Sequence, residues 1–310
     1  MAARWEPPGG YLGRMVEAKW EYLRAVRFAP ALPAAQAPAS PEESTTLAAR
    51  LREARSAWAQ VAGRTGGGFD GFRPALPVVA EVKRRSPSAG VIAREVNPVG
   101  RARDYLQAGA AAVSVLADTE FFGGSPQDVA AVAAFTGAPV LFKDIVVHPC
   151  QVWLAQACQA RAVLLIAAAL GPDGLAELCE ATRLAGLDAV VEVHDERELE
   201  MALGVRAPIV GVNNRNLRTF EVDLSTARRL LPLIPPDRIR LAESGYRTPQ
   251  EVAAALRGGA DAVLVGEALM RAAAVAPFFD ALAQELACAG LQQGEHPEVR
   301  AQQAGAGSRP

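Results

Sequence analysis

At 310 residues, half of them apolar, the chain has material for one large hydrophobic core, and its net charge of −2 offers no basic field for nucleic acid or an anionic membrane surface. No apolar run is long enough to cross a bilayer. Cys150, Cys158, Cys179 and Cys288 show neither close pairing nor histidine companions at ligand spacing, so they read as reduced, buried thiols and no metal is expected.

The chain opens Met1-Ala2-Ala3-Arg4-Trp5 and soon meets Pro7 and Pro8, without the charged start and unbroken apolar stretch of a secretory signal, which predicts a cytoplasmic protein. Arg14 to Phe28 has the spacing of an amphipathic helix. Residues 30–41 form a Pro/Ala-rich linker, and Glu42 to Val61 read as a second helix opened by a Ser40/Glu43 capping box. Gly66-Gly67-Gly68 then loosens the chain. Residues 1–76 are therefore expected to form a helical extension and linker, residues 77–289 the catalytic unit, and the polar residues 290–310 a disordered tail.

From residue 77 short runs rich in Val, Ile and Leu alternate with longer amphipathic stretches, the pattern of βα units on a parallel sheet. Eight runs stand near Val78–Val82, Ala112–Leu116, Val140–Lys143, Ala162–Ile166, Ala189–Val193, Ile209–Val212, Arg240–Glu243 and Ala262–Val265. Gly109-Ala110-Ala111-Ala112-Val113, Gly186-Leu187-Asp188-Ala189-Val190 and Gly259-Ala260-Asp261-Ala262-Val263 repeat one junction, in which a glycine stops a helix just before a strand. An open doubly wound sheet would repeat it too, but eight units without a Gly-x-Gly-x-x-Gly after the first strand favour a barrel. The expectation is an α/β fold, a (βα)8 TIM barrel carrying an N-terminal helical extension.

The 32 basic residues include only three lysines, at 19, 83 and 143, and the other 29 are arginine. Lysine kept so sparingly marks positions that want a compact, tunable ammonium, which singles out Lys83 and Lys143 at strand ends. In a barrel the C-terminal strand ends line the active-site mouth. Glu81 and Lys83 point the same way from the first strand, Lys143-Asp144 end the third, and Glu192 sits on the fifth. The sixth runs into Asn213-Asn214-Arg215 and the seventh ends Glu243-Ser244-Gly245. Structural ion pairs closing the barrel explain one such end, but not five together. Ser244-Gly245 and Gly266 follow the seventh and eighth strands, where barrels hold phosphate with loop amides, and Glu267 is expected to turn its carboxylate away and offer its backbone amide.

Ala80-Glu81-Val82-Lys83-Arg84-Arg85-Ser86-Pro87-Ser88-Ala89-Gly90 closely resembles the Glu-x-Lys-x-x-Ser-Pro-Ser signature of indole-3-glycerol phosphate synthases. The resemblance continues through Phe122-Gly123-Gly124-Ser125, Leu141-Phe142-Lys143-Asp144, Val191-Glu192-Val193-His194, Gly211-Val212-Asn213-Asn214-Arg215-Asn216-Leu217 and Ala242-Glu243-Ser244-Gly245, over roughly residues 72–285. It implies the substrate 1-(o-carboxyphenylamino)-1-deoxyribulose 5-phosphate, an indole product formed with loss of carbon dioxide and water, and no redox cofactor or metal. It implies Lys143 as general acid toward the C2′ carbonyl, with a pKa expected to be lowered by desolvation beside other cations. It implies Glu192 as base in the dehydration, and assistance from Glu81 and Lys83, with Lys83 also bridging to the substrate's anionic groups. Asn213 and Arg215 match contacts to the anthranilate portion or hydroxyls. Ser86 and Pro87 match a loop closing over the substrate, Phe122 a ring-packing aromatic, and Glu243 and Ser244 further substrate contacts. Lys83, Ser244, Gly245, Gly266 and Glu267 match the phosphate site. Ala117 stands where the family commonly has Thr, and Ile145 where an aromatic often follows Lys-Asp.

The expected partner is the phosphorylated small molecule, with no nucleic acid or membrane, and a monomer or weak oligomer. Two other readings compete. A phosphoribosylanthranilate isomerase wants a carboxylate and a thiol, whereas no cysteine ends the first strand. A non-catalytic phosphate-binding barrel predicts a missing catalytic group, whereas Lys143, Glu192 and Glu81 are all present.

Overall fold

A computed structural model describes residues 8–25, 46–61 and 74–289. Eight strands alternate with helices: β1 (Leu76–Val82), β2 (Ala110–Leu116), β3 (Val140–Lys143), β4 (Ala162–Ile166), β5 (Asp188–Val193), β6 (Ile209–Asn213), β7 (Ile239–Glu243) and β8 (Ala262–Val265). Each lies within two residues of its expected run at both ends. All pair in parallel with their sequence neighbours, and β1 pairs with β8, so the sheet closes into the predicted barrel. Every residue of β1 and β2 is buried, as expected of strands with packed side chains inside and helices outside.

The outer layer consists of α3 (Pro98–Gln107), α4 (Pro126–Thr136), α5 (Pro149–Ala157), α6 (Ala167–Leu184), α7 (Glu196–Gly204), α8 (Ser225–Leu230), α9 (Pro249–Arg257), α10 (Glu267–Arg271) and α11 (Ala276–Ala289). Four of these start alike. Asn97, Ser125, His148 and Thr248 cap the helix N-terminus with a side-chain acceptor, and proline occupies the next position, where its missing N–H costs nothing.

Two helices precede the barrel, and each closes one end of it. Helix α2 (Leu47–Val61) covers the end where strands begin: Trp58 donates its indole N–H to the Ala75 carbonyl (2.9 Å), and the Ala48 N–H donates to Asp188 Oδ2 (2.7 Å). Helix α1 (Gly10–Ala25) lies over the opposite mouth, with Lys19 3.0 Å from Asp118 after β2 and 2.8 Å from Asp144 after β3. Its Tyr11 ring packs 4.6 Å from the Phe220 ring on the loop after β6.

Helix α1 starts at Gly10 rather than Arg14, and the expected end at Phe28 lies outside the described residues. So do Ser40, Glu43, Gly66-Gly67-Gly68 and residues 290–310. The cap seen on α2 is Thr46, whose Oγ1 accepts the Ala49 N–H (3.1 Å). No helix among the described residues is long and apolar enough to cross a membrane.

Candidate active site

The polar strand ends meet inside the barrel mouth. Glu81 on β1, Glu192 on β5 and Glu243 on β7 are all nearly inaccessible to solvent. Between them stands Lys143 on β3, its Nζ 2.8 Å from Glu243 Oε2 and 3.7 Å from Glu81 Oε2, while Lys83 pairs with Glu81 Oε1. Two glycines make room for the carboxylates. A Cβ on Gly211 would collide with Glu243 Oε1, and one on Gly266 with Glu81 Oε1, so a side chain at either position would push a carboxylate out of its place.

Burial alone would strip the charge from Lys143, but Glu243, Glu81 and Glu192 outweigh it and hold its pKa above the usual lysine value. This corrects the expectation of a lowered pKa: the neighbours of this lysine are carboxylates, not cations. Burial likewise opposes the Glu81 charge, yet Lys83, Lys143 and Arg215 together hold its pKa below the ordinary glutamate range. Glu243 goes the other way, its pKa raised by burial more than Lys143 lowers it.

Above this floor opens a cavity of about 360 Å³, within the range of small-ligand sites. Glu81, Lys83, Lys143, Glu192, Asn213, Arg215, Ser86, Pro87 and Phe122 all line it, as do Ser244, Gly245, Gly266 and Glu267 on the neighbouring rim. Glu243 does not. Expected among the substrate contacts, it lies beneath the cavity, fully buried, and serves Lys143 instead. Ser244 (φ 63°) and Gly245 (φ 88°) are consecutive left-handed residues, a strained backbone form for a serine that clusters at ligand sites. The Glu267 carboxylate turns along α10 to Arg271 (3.0 Å).

Several cavity groups were not anticipated. Arg247 and Arg271 add two cations on the side of Ser244 and Gly266, and Met15 brings α1 to the cavity wall. Lys19, the third of the scarce lysines, ties Asp118 and Asp144 together. Asp118 Oδ2 accepts the backbone N–H groups of Phe121 (2.6 Å) and Phe122 (3.0 Å), which fixes the Phe122 ring beside the cavity. Arg84 pairs with Asp128 and donates to the Gly123 carbonyl (3.1 Å), joining the loop after β1 to the loop after β2. Arg215 donates to Ser88 Oγ and to the Phe220 carbonyl (both 3.0 Å), joining that first loop to the one after β6. Of the departures noted in the sequence, Ile145 lines the cavity and Ala117 is buried beside it.

The profile of the indole-3-glycerol phosphate synthase family matches residues 69–282, the whole barrel. The chain belongs to the indole-3-glycerol phosphate synthase family. It is 49% identical over 202 residues to the indole-3-glycerol phosphate synthase of Kineococcus radiotolerans, covering 65% of this chain and 74% of that protein. Over 235 residues it is 45% identical to indole-3-glycerol phosphate synthase 1 of Streptomyces coelicolor, covering 76% and 84%. The chain is accordingly a carboxy-lyase of tryptophan biosynthesis.

Among solved structures, a mandelate oxidase aligns with TM-score 0.56 at 20% identity, over 80% of this chain and 88% of that one. An N-acetylmannosamine-6-phosphate 2-epimerase from Clostridium perfringens aligns with TM-score 0.52 at 16% identity, over 66% and 94%. Those likenesses carry the barrel and nothing of the chemistry.

Proposed function

We propose that the reaction runs on the charged floor of the cavity. Ring closure joins an aromatic carbon to the substrate's C2′ carbonyl, whose oxygen gains negative charge as the bond forms. Lys143 donates the proton. Its carboxylate neighbours keep it an ammonium at neutral pH, the form an acid needs, and a developing alkoxide is basic enough to take the proton. Glu81 and Glu243 hold the ammonium in place. Lys83, lining the same wall, meets the substrate's anionic groups.

After carbon dioxide leaves, dehydration needs a base, and Glu192 is the carboxylate lining the cavity without a lysine or arginine in ion-pair contact among the described residues. Phe122, Pro87 and Ile145 give the aromatic half of the substrate an apolar wall, in which the lost carboxylate is poorly solvated. Asn213 and Arg215 contact the anthranilate portion or hydroxyls. The phosphate sits against Ser244, Gly245, Gly266 and the amide of Glu267, with Lys83 extending toward it and Arg247 and Arg271 adding charge. All four cysteines are free, which suits a reducing compartment such as the cytoplasm.

The observation that carries this reading is the lysine wedged between two buried glutamates on the floor of a ligand-sized cavity. Incubation with 1-(o-carboxyphenylamino)-1-deoxyribulose 5-phosphate should produce indole fluorescence, and Glu192→Gln should reduce kcat by about a hundredfold or more. A Glu192→Gln protein turning over normally would remove the base from this scheme. Phosphoribosylanthranilate should not be isomerised, because β1 ends in Glu81 and Lys83 rather than a thiol.

A further inference from the structure

Behind Glu192 stands a titratable group that the scheme above leaves idle. Side chains alternate along a strand, so Glu192 and His194, just past the end of β5, point to the same side. His194 Nε2 lies 3.5 Å from Glu192 Oε1, and both atoms are buried without a hydrogen-bond partner among the described residues. On the other side of the ring, Nδ1 is 2.9 Å from Glu198 Oε2, an oxygen that also accepts the His194 backbone N–H (2.8 Å). Glu198 is fixed in turn, because its backbone N–H donates to Asp195 Oδ1 (2.9 Å), the N-cap of α7. A chain of contacts thus runs from a helix cap through Glu198 and His194 to within 3.5 Å of Glu192.

The geometry selects a protonation state. Both ring nitrogens face carboxylate oxygens, which only accept hydrogen bonds when ionised. A neutral imidazole has one N–H, so it would present a lone pair to one carboxylate. The doubly protonated ring satisfies both. Charge balance points the same way, because the floor's ion pairs set Lys83 and Lys143 against Glu81 and Glu243 and leave Glu192 without a lysine or arginine partner among the described residues, and buried charge requires pairing. Burial opposes a charge on His194, yet Glu198 on α7, Glu192 on β5 and Glu243 on β7 outweigh it and raise the pKa above the usual histidine value.

We infer that His194 is a positioning residue: an imidazolium held by Glu198, it faces Oε1 of Glu192 and leaves the other oxygen to serve the substrate. The inference rests on Glu192 being the base. His194 does not line the cavity and touches no substrate.

Two variants separate charge from shape. His194→Gln keeps a donor of similar reach without the charge, and His194→Leu removes both. The His194 backbone N–H still holds Glu198 in either, so α7 keeps its cap. In His194→Gln the acid limb of the kcat profile should move up, because a charge beside the base has been lost. In His194→Leu the same shift should come with a kcat loss of about tenfold and little change in KM. A purely structural histidine would lower the unfolding midpoint and leave the pH profile of kcat where it was; that result overturns the inference. Proton NMR of the wild-type chain, with only three histidines to assign, gives an independent reading: His194 should remain protonated at pH 7, and a neutral ring there overturns the inference even if the variants fail to fold. Glu192→Gln distinguishes the two levels. If it keeps a near-normal kcat, the base assignment falls and takes this inference with it. If it is inactive while the His194 variants keep the wild-type profile, the inference falls alone.

Discussion

The two ends of the barrel are each closed by one helix of the N-terminal extension, and they are closed by different chemistry. At the bottom, α2 buries Leu47, Leu51, Ala54 and Trp58, and its polar contacts reach backbone carbonyls and a strand-start aspartate. At the top, α1 buries Leu12, Met15 and Val16 but also Lys19, whose ammonium bridges two buried aspartates. The bottom is sealed by apolar area, which no ligand disturbs. The top grips loops that also line the cavity: Asp118 orients Phe122, and Asp144 follows Lys143 directly. The lesson is that one extension performs two tasks, stability below and site geometry above.

Three substitutions test that division, in order of expected size. Trp58→Ala should cost about 4 kcal/mol in urea unfolding, the scale for emptying a fully buried tryptophan site, with kcat and KM of the folded protein unchanged. A change in KM would mean that the bottom communicates with the site. Lys19→Met leaves Asp118 and Asp144 buried without their cation and should cost about 3 kcal/mol, and here KM should rise because the Phe122 loop loosens. An unchanged KM would make the top a second structural seal and erase the contrast. The smallest effect belongs to pH. The folded-state pKa of Glu81 lies below its unfolded value, so its contribution to stability is present above the ordinary glutamate range and is lost as pH falls through the folded value. Glu81→Gln should therefore flatten the fall of the urea midpoint on acidification. A curve as steep as that of the wild type would assign the acid lability to other groups.

The fold was legible because each strand is an apolar run broken by a polar end, and because Gly109, Gly186 and Gly259 punctuate the helix-to-strand junctions. Which strand-end side chains line the cavity was legible for the same reason, since a polar strand end in a barrel faces the mouth. What escaped was mutual arrangement. The sequence places Lys143 and Glu243 on different strands, 100 residues apart, and nothing local says that the glutamate leans under the lysine. Gly211 is the one clue. A glycine inside a strand signals close approach, and the atom that approaches is Glu243 Oε1. Missing that inclination led to a lysine expected to be depressed by cations, where carboxylates raise it. Lys19 escaped because its partners are distant in sequence, although it carried the same scarcity signal as Lys83 and Lys143. Arg247 and Arg271 were hidden among 29 arginines, where abundance gives no signal. His194 was readable by alternation alone, two positions after Glu192 and one beyond the end of β5.

The account stands or falls on Lys143 as the group that delivers the proton for ring closure. The decisive measurement is kcat of folded Lys143→Ala protein for indole formation from 1-(o-carboxyphenylamino)-1-deoxyribulose 5-phosphate. A loss of at least about a hundredfold is predicted, the usual contribution of a positioned general acid. A near-normal kcat would contradict the assignment and move the acid to another group on the cavity floor.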